Sequence, residues 1–134
     1  MKMSTDGDAE VVELYGCAVS EVDPGGVAAA RAGMVSAEEA DELAACFRLL
    51  GDAKRVRILY ALLQAGELCV CDIAAAAEVS ETTVSQAMRL LRTAGIVRNR
   101  RDGRMIYYRL DDAHVRLLLD VSKEHVVGEG PAQR

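Results

Sequence analysis

From Ser36 to Val126 the apolar positions recur with the 3.6-residue period of amphipathic helices, interrupted at Gly51, Gly66 and Gly95. Ser36, with Glu39 three places on, forms a capping box, and Leu43, Phe47 and Leu50 follow at helical spacing as far as Gly51. Asp52 caps a second helix, which carries Val56, Leu59, Tyr60, Leu62 and Leu63 and stops at Gly66. After Glu67-Leu68-Cys69-Val70-Cys71 comes a short helix from Asp72 to Ala77, then a tight turn, Glu78-Val79-Ser80. Ser80 caps the next helix, Glu81 to Thr93, in which Val84, Ala87, Met88 and Leu91 fall at i, i+3, i+4 and i+7 and face a core. Its other side presents Thr82, Ser85, Gln86 and Arg89.

Beyond Gly95 the period changes to two. Val97 to Arg101 and Arg104 to Leu110 read as strands joined at Asp102-Gly103, a dipeptide that favours tight hairpins. Ile106, Tyr108 and Leu110 point one way, Met105, Tyr107 and Arg109 the other. Asp111 or Asp112 caps a last helix through Val115, Leu118, Leu119 and Val121 to about Val126. Residues 1–35 show no sustained period and contain Asp23-Pro24-Gly25-Gly26, which reads as a flexible N-terminal arm; residues 128–134 read as a frayed tail. Two helices, a helix-turn-helix, a hairpin and a closing helix make residues 36–127 a winged helix-turn-helix: mainly α with a β-hairpin wing. The first and last helices carry more apolar surface than so small a core needs, which predicts a homodimer paired through them.

Charge sharpens this picture. The chain has 134 residues, one domain's worth, and a formal net charge of −5. Yet Glu81 to Arg109 holds seven arginines against two acids, leaving nine basic and nineteen acidic residues elsewhere. A basic block on an acidic body points to contact with a polyanion, double-stranded DNA above all, although a solvated arginine-rich face has the same composition. In the DNA-binding reading Thr82, Thr83, Ser85, Gln86 and Arg89 enter the major groove, where Gln86 suits adenine and Arg89 guanine or a phosphate. Arg100, Arg101 and Arg104 then grip the backbone beside the wing. No apolar run approaches a membrane span and no secretory signal is apparent, so the expected location is the cytoplasm, where four cysteines are thiols or metal ligands rather than disulfides.

Cys69 and Cys71 are two residues apart. On a regular helix they would diverge by about 200°, whereas in extended or capping backbone both sulfurs can face one ion. Two thiolates need a further donor, for which Cys17 on the arm is the candidate; Cys46 falls near the core face of the first helix and reads as a small buried hydrophobe. Soft sulfur donors favour Cd(II), Pb(II), Zn(II), Cu(I) or trivalent arsenic, the plain alternative being two spare thiols in a turn. His114 and His125 share one face of the last helix but lie about 16 Å apart. They can meet only between two antiparallel copies, with Asp112 adjacent and Glu129 as a possible fourth donor.

The runs Glu67-Leu68-Cys69-Val70-Cys71-Asp72-Ile73-Ala74 and Val79-Ser80-Glu81-Thr82-Thr83-Val84-Ser85-Gln86, with the wing Arg101-Asp102-Gly103-Arg104, resemble the ArsR/SmtB family of bacterial metal-responsive repressors. The likeness runs from about Ala37 to Val126 and is strongest to the cadmium/lead-responsive subgroup. It implies a homodimer whose metal-free form holds an operator and releases it on binding metal, so that efflux or detoxification genes are expressed. It also implies that Cys69 and Cys71 join cysteines of the other protomer's arm, where this chain offers only Cys17. Arsenic-responsive members often carry a third cysteine just after the motif, where this chain has Ile73-Ala74-Ala75. The family's zinc-type site matches Asp112, His114 and His125, but its distal carboxylate is displaced: Gly128 stands where an acid is expected and Glu129 one place later. Cd(II) or Pb(II) is therefore the expected inducer, with Zn(II) a possible third. An arsenite response, or a thiol redox switch through Cys17, is the alternative on the same fold. No nucleophile-base constellation or phosphate-cradling glycine loop suggests an enzyme.

Overall fold

The computed structural model describes residues 20–128; Cys17 and Glu129 lie outside them. The chain divides into two compact units, residues 1–40 and 41–134. The described part of the first contains a helix, α1 (Pro24–Ala32), inside the stretch that the sequence reading assigns to a flexible arm. The local reasons are plain. Asp23 caps it by accepting from the Gly26 amide at 3.0 Å, Pro24 sits in the first turn, and three successive alanines follow Val27. Its residues are nowhere buried, so it has no apolar face for a periodicity argument to detect.

The helix α2 (Ala37–Leu50) starts where the capping box predicts. The Ser36 amide donates to Glu39 Oε1 at 2.8 Å, and the Glu39 amide donates to Ser36 Oγ at 3.0 Å. Asp52 accepts from the Arg55 amide at 3.0 Å and opens α3 (Ala53–Ala65). Arg55 in turn donates to the carbonyls of Leu49 and Arg48, satisfying the end of α2. Gly66 terminates α3 with φ 91°, and β1 (Leu68–Cys69) leads directly into α4 (Val70–Ala77). The short helix thus begins two residues before the predicted Asp72.

Glu78 occupies the left-handed region at φ 61°, turning the chain into α5 (Glu81–Thr93). Arg57 of α3 holds this turn: Nε donates to the Ala77 carbonyl at 2.8 Å and Nη2 to the Glu78 carboxylate at 2.9 Å. Ser80 caps α5, its Oγ accepting from the Thr83 amide at 3.0 Å. The hairpin β2 (Val97–Asp102) and β3 (Met105–Leu110) follows, then α6 (Ala113–Val126). Asp102 pairs with Met105, so the two turn residues are Gly103 and Arg104, one place later than the predicted Asp102-Gly103. Only Gly103 has positive φ, 65°, which is the requirement of a turn with glycine at its first position.

The three-stranded sheet has the order β1-β3-β2, all antiparallel, with Leu68 opposite Tyr108 and Cys69 opposite Tyr107. The core lies between α3, α4 and α5: Ile58, Leu59 and Leu62 meet Ile73, Val84, Met88 and Leu91, all fully buried. Each such side chain stabilises the packing by about 1.5–3 kcal/mol, and together they set the pose of α5. Val97 and Leu110 of the hairpin and Val115 and Leu119 of α6 complete the cluster, and the Tyr60 hydroxyl donates to the Leu119 carbonyl. The fold is a winged helix-turn-helix. Among the described residues no helix is long and apolar enough to cross a membrane.

A Cβ at Gly66 would meet no atom within 4 Å, so any cost of a side chain there is backbone strain alone. Gly66→Ala is expected to lower the unfolding free energy by about 1–3 kcal/mol in urea denaturation. Unchanged stability would show that position 66 does not require the positive φ.

Candidate nucleic-acid interface and thiolate site

The buried face of α5 decides what its other face offers. Val84, Met88 and Leu91 are wholly covered, so Thr82, Ser85, Gln86 and Arg89 stand exposed in one row as the periodicity predicts. Thr83 differs: it is half-buried, and its Oγ1 accepts from Ser80 Oγ at 2.9 Å, which ties it into the cap. On the wing Arg101 and Arg104 are exposed and form no ion pair among the described residues; Arg101 makes only a 3.5 Å contact to the Gly103 carbonyl.

Arg100 departs from the sequence reading, which groups it with the other wing arginines. Its Nε and Nη2 donate to the two carboxylate oxygens of Glu67 at 2.9 and 2.8 Å, and its guanidinium lies 4.8 Å from the centre of the Tyr107 ring. The register explains this. Arg100 is the cross-strand partner of Tyr107, so both share a face of the hairpin, and Glu67 precedes the strand paired on the far side of β3. The Arg100 guanidinium holds the Glu67 carboxyl below the usual carboxylate range, and Glu67 raises Arg100 in return. Neither the partnership nor Arg57's grip on the turn is visible in sequence, because both join distant segments.

Cys69 is the residue before α4, extended at φ −83° and ψ 171°, and buried; Cys71 lies one residue inside the helix and is exposed. Because Cys69 is not helical, the divergence expected on a regular helix does not arise, and the two sulfurs stand 3.4 Å apart. Asp72 brings a carboxylate oxygen within 4.8 Å of both, a donor the sequence reading left out of the site. The Cys71 thiol is pushed above its ordinary range, first by sharing a hydrogen with Cys69, then by the charge of Cys69, with lesser contributions from burial, Asp72 and Glu81. The shift disfavours the Cys71 thiolate in the metal-free protein. Cys46 is half-buried in α2.

At the other end of the domain Asp112 accepts from the amides of His114 and Val115, and His114 Nδ1 lies 3.2 Å from the same oxygen. The His114 amide is the main reason the Asp112 carboxyl lies below its ordinary range. Its first duty is to cap α6. His114 and His125 are both exposed, near opposite ends of that helix, and do not converge within one chain.

Comparison with known proteins adds four findings. Residues 52–99 match the model of a bacterial regulatory protein family, the arsR family. The chain is 44% identical over 84 residues to a CadC homolog, a cadmium resistance transcriptional regulatory protein, from Staphylococcus aureus, spanning 63% of this chain and 69% of that one. It is 43% identical over 93 residues to a transcriptional repressor SmtB homolog from Synechocystis, 69% of this chain and 70% of that one. Among solved structures, a homodimeric winged helix-turn-helix DNA-binding domain from Mycobacterium bovis is similar, with a TM-score of 0.59 and 33% identity, over 71% of this chain and 93% of the other.

The geometry of the sulfurs predicts their reactivity. Only a thiolate is alkylated, so Cys71 in the reduced, metal-free protein should react slowly with iodoacetamide at pH 7, and about tenfold faster per pH unit until its raised pKa is passed. Buried Cys69 should lag behind it, as mass spectrometry of the labelled peptides will show. Rapid alkylation of Cys71 at pH 6 would contradict the raised pKa of its thiol.

Proposed function

This chain belongs to the ArsR/SmtB family of bacterial transcriptional regulators, and we propose that it is a homodimeric repressor that releases its operator when Cys69 and Cys71 capture a soft heavy-metal ion, Cd(II) or Pb(II). The observation that carries the reading is the 3.4 Å separation of the two sulfurs at the start of α4, the helix packed against α5. Sulfurs this close could both hold one soft ion, for which thiolates are the preferred donors. The name of the Staphylococcus aureus relative supports cadmium. Cys17 is the proposed third sulfur, and Asp72 the nearest oxygen should a fourth donor be needed. A bound ion would supply positive charge and fixed bond directions between the thiolates.

The residues around the pair do the rest. Both thiols must lose their protons on binding, so metal affinity rises with pH. Cys69 ends β1 and begins α4, and any change in its backbone reaches α5 through the packed Ile73, Val84 and Met88. In the metal-free protein Thr82, Ser85, Gln86 and Arg89 read the major groove while Arg101 and Arg104 meet phosphates. A second copy covers Leu43 and Phe47 of α2 with Leu117, Leu118 and Val121 of α6, which a single chain leaves exposed. The same pairing is required for Asp112, His114, His125 and Glu129 to form the proposed second site for Zn(II).

Fluorescence anisotropy on labelled DNA from upstream of the gene tests the reading. Reduced metal-free protein should bind tightly, and near-stoichiometric Cd(II) or Pb(II) should release it. Cys69→Ser and Cys71→Ser should bind DNA and resist release. If Cd(II), Pb(II), Zn(II) and arsenite all leave the complex intact, the metal mechanism fails; release by oxidant that a thiol reductant reverses would install the redox switch instead. Removing charge at Arg89 or Arg104 should weaken metal-free binding about tenfold. Phe47→Glu should yield monomers in sedimentation velocity, and a persistent dimer would displace the proposed interface.

A further inference from the structure

Glu67 immediately precedes β1 and stands two residues before Cys69. Across the sheet Cys69 pairs with Tyr107 and Tyr107 with Arg100, which places all three in one row. The Arg100 guanidinium closes this row back on itself by gripping both oxygens of Glu67 over the Tyr107 ring, with Asp102 a further 3.8 Å contact. A fork held on both oxygens has a defined geometry, unlike the side chains of Arg101 and Arg104, which form no ion pair among the described residues. The charge of Arg100 is thereby spent within the protein, at the base of the wing, beside the sulfur pair.

We propose that Glu67 and Arg100 form a latch that couples the thiolate pair to the wing: closed in the metal-free protein, it holds the hairpin in its DNA-ready pose, and it opens when residues 69–71 rearrange around a captured ion. Arg100 is then a positioning residue for the wing and not a phosphate contact. The inference rests on the reading of Cys69 and Cys71 as the metal site. Two features support the mechanics. Glu67 has only Leu68 between it and Cys69, so a change at the sulfur-bearing backbone is felt directly at its carboxylate. And the pair is half-exposed, with side-chain exposures of 53% and 30%, so it contributes little to stability and its opening does not unfold the domain.

The test uses the full chain with Glu67→Gln, Arg100→Gln and the exchange Glu67→Arg with Arg100→Glu. Three quantities are read: Cd(II) binding in the absence of DNA from the thiolate charge-transfer absorbance, the salt dependence of metal-free DNA binding, and the factor by which Cd(II) weakens DNA binding. Glu67→Gln should bind Cd(II) as the unmodified protein does, while the weakening factor shrinks by about fivefold or more, and the exchange should restore it. Arg100→Gln and Glu67→Gln each open the latch and should change the slope of log affinity against log salt alike; a slope shallower by about 0.9 in Arg100→Gln alone would make Arg100 a phosphate contact and overturn the latch. An undiminished factor in Glu67→Gln overturns the latch and leaves the metal-released repressor standing. Loss of Cd(II) binding in that variant places Glu67 at the sulfur site itself and also overturns it. If Cd(II) fails to weaken DNA binding by the unmodified protein, both readings fall together.

Discussion

Two backbone pairings, Leu68 with Tyr108 and Cys69 with Tyr107, are the constraint from which the remaining geometry follows. They hold Cys69 extended at the threshold of α4, so that its sulfur can turn toward Cys71 instead of away from it. They also make the cysteine motif an edge strand of the sheet whose other two strands are the wing. A strand of only two residues has little strength of its own. It persists because Cys69 is buried and Leu68 half-buried against the core, and because Arg100 ties Glu67 to the far strand. Sulfur pair, wing and reading helix thus share one packed body.

The division of labour between polar and apolar groups is sharp within that body. Among the described residues no polar or charged residue is buried, and apolar contacts set the pose of α5. Polar groups act at the joints: Ser36, Asp52, Ser80 and Asp112 cap helices, Arg55 closes α2, and Arg57 secures the strained turn at Glu78. Among the described residues Thr82, Ser85, Gln86, Arg89, Arg101 and Arg104 stand exposed, set in a basic segment of an otherwise acidic chain. An acidic body repels the DNA backbone wherever the basic face is not presented, which favours one docking orientation over the rest.

The starts of α2, α3, α5 and α6 were legible because a capping residue and the period agree there: Ser36 with Glu39, Asp52 with Val56, Ser80 with the Val84 stripe, Asp112 with Val115; α4 has no side-chain cap and starts two residues before the expected Asp72. The convergence of Cys69 and Cys71 was legible too, from the requirement that one of them be non-helical. Other features were not, each for a physical reason. Helix α1 has a cap and alanines but no buried face, so a reading based on period passes over it. The strand β1 exists only through its partner. The hairpin turn shifted by one place because Asp102 has a cross-strand partner in Met105 and leaves Gly103 the first turn position. Arg100, grouped by composition with its neighbours, belongs to Glu67, a pairing over 33 residues that no local pattern encodes.

The central claim is that one protein state holds DNA and another holds metal, linked through this shared body. Linkage then requires reciprocity: DNA must weaken metal binding by the same factor by which metal weakens DNA binding. Titrating Cd(II) into the free protein and into its operator complex at one salt concentration, with the thiolate charge-transfer absorbance as signal, measures this directly. The account predicts weaker Cd(II) binding in the complex, by the factor found for DNA release. Equal or tighter binding in the complex would contradict it.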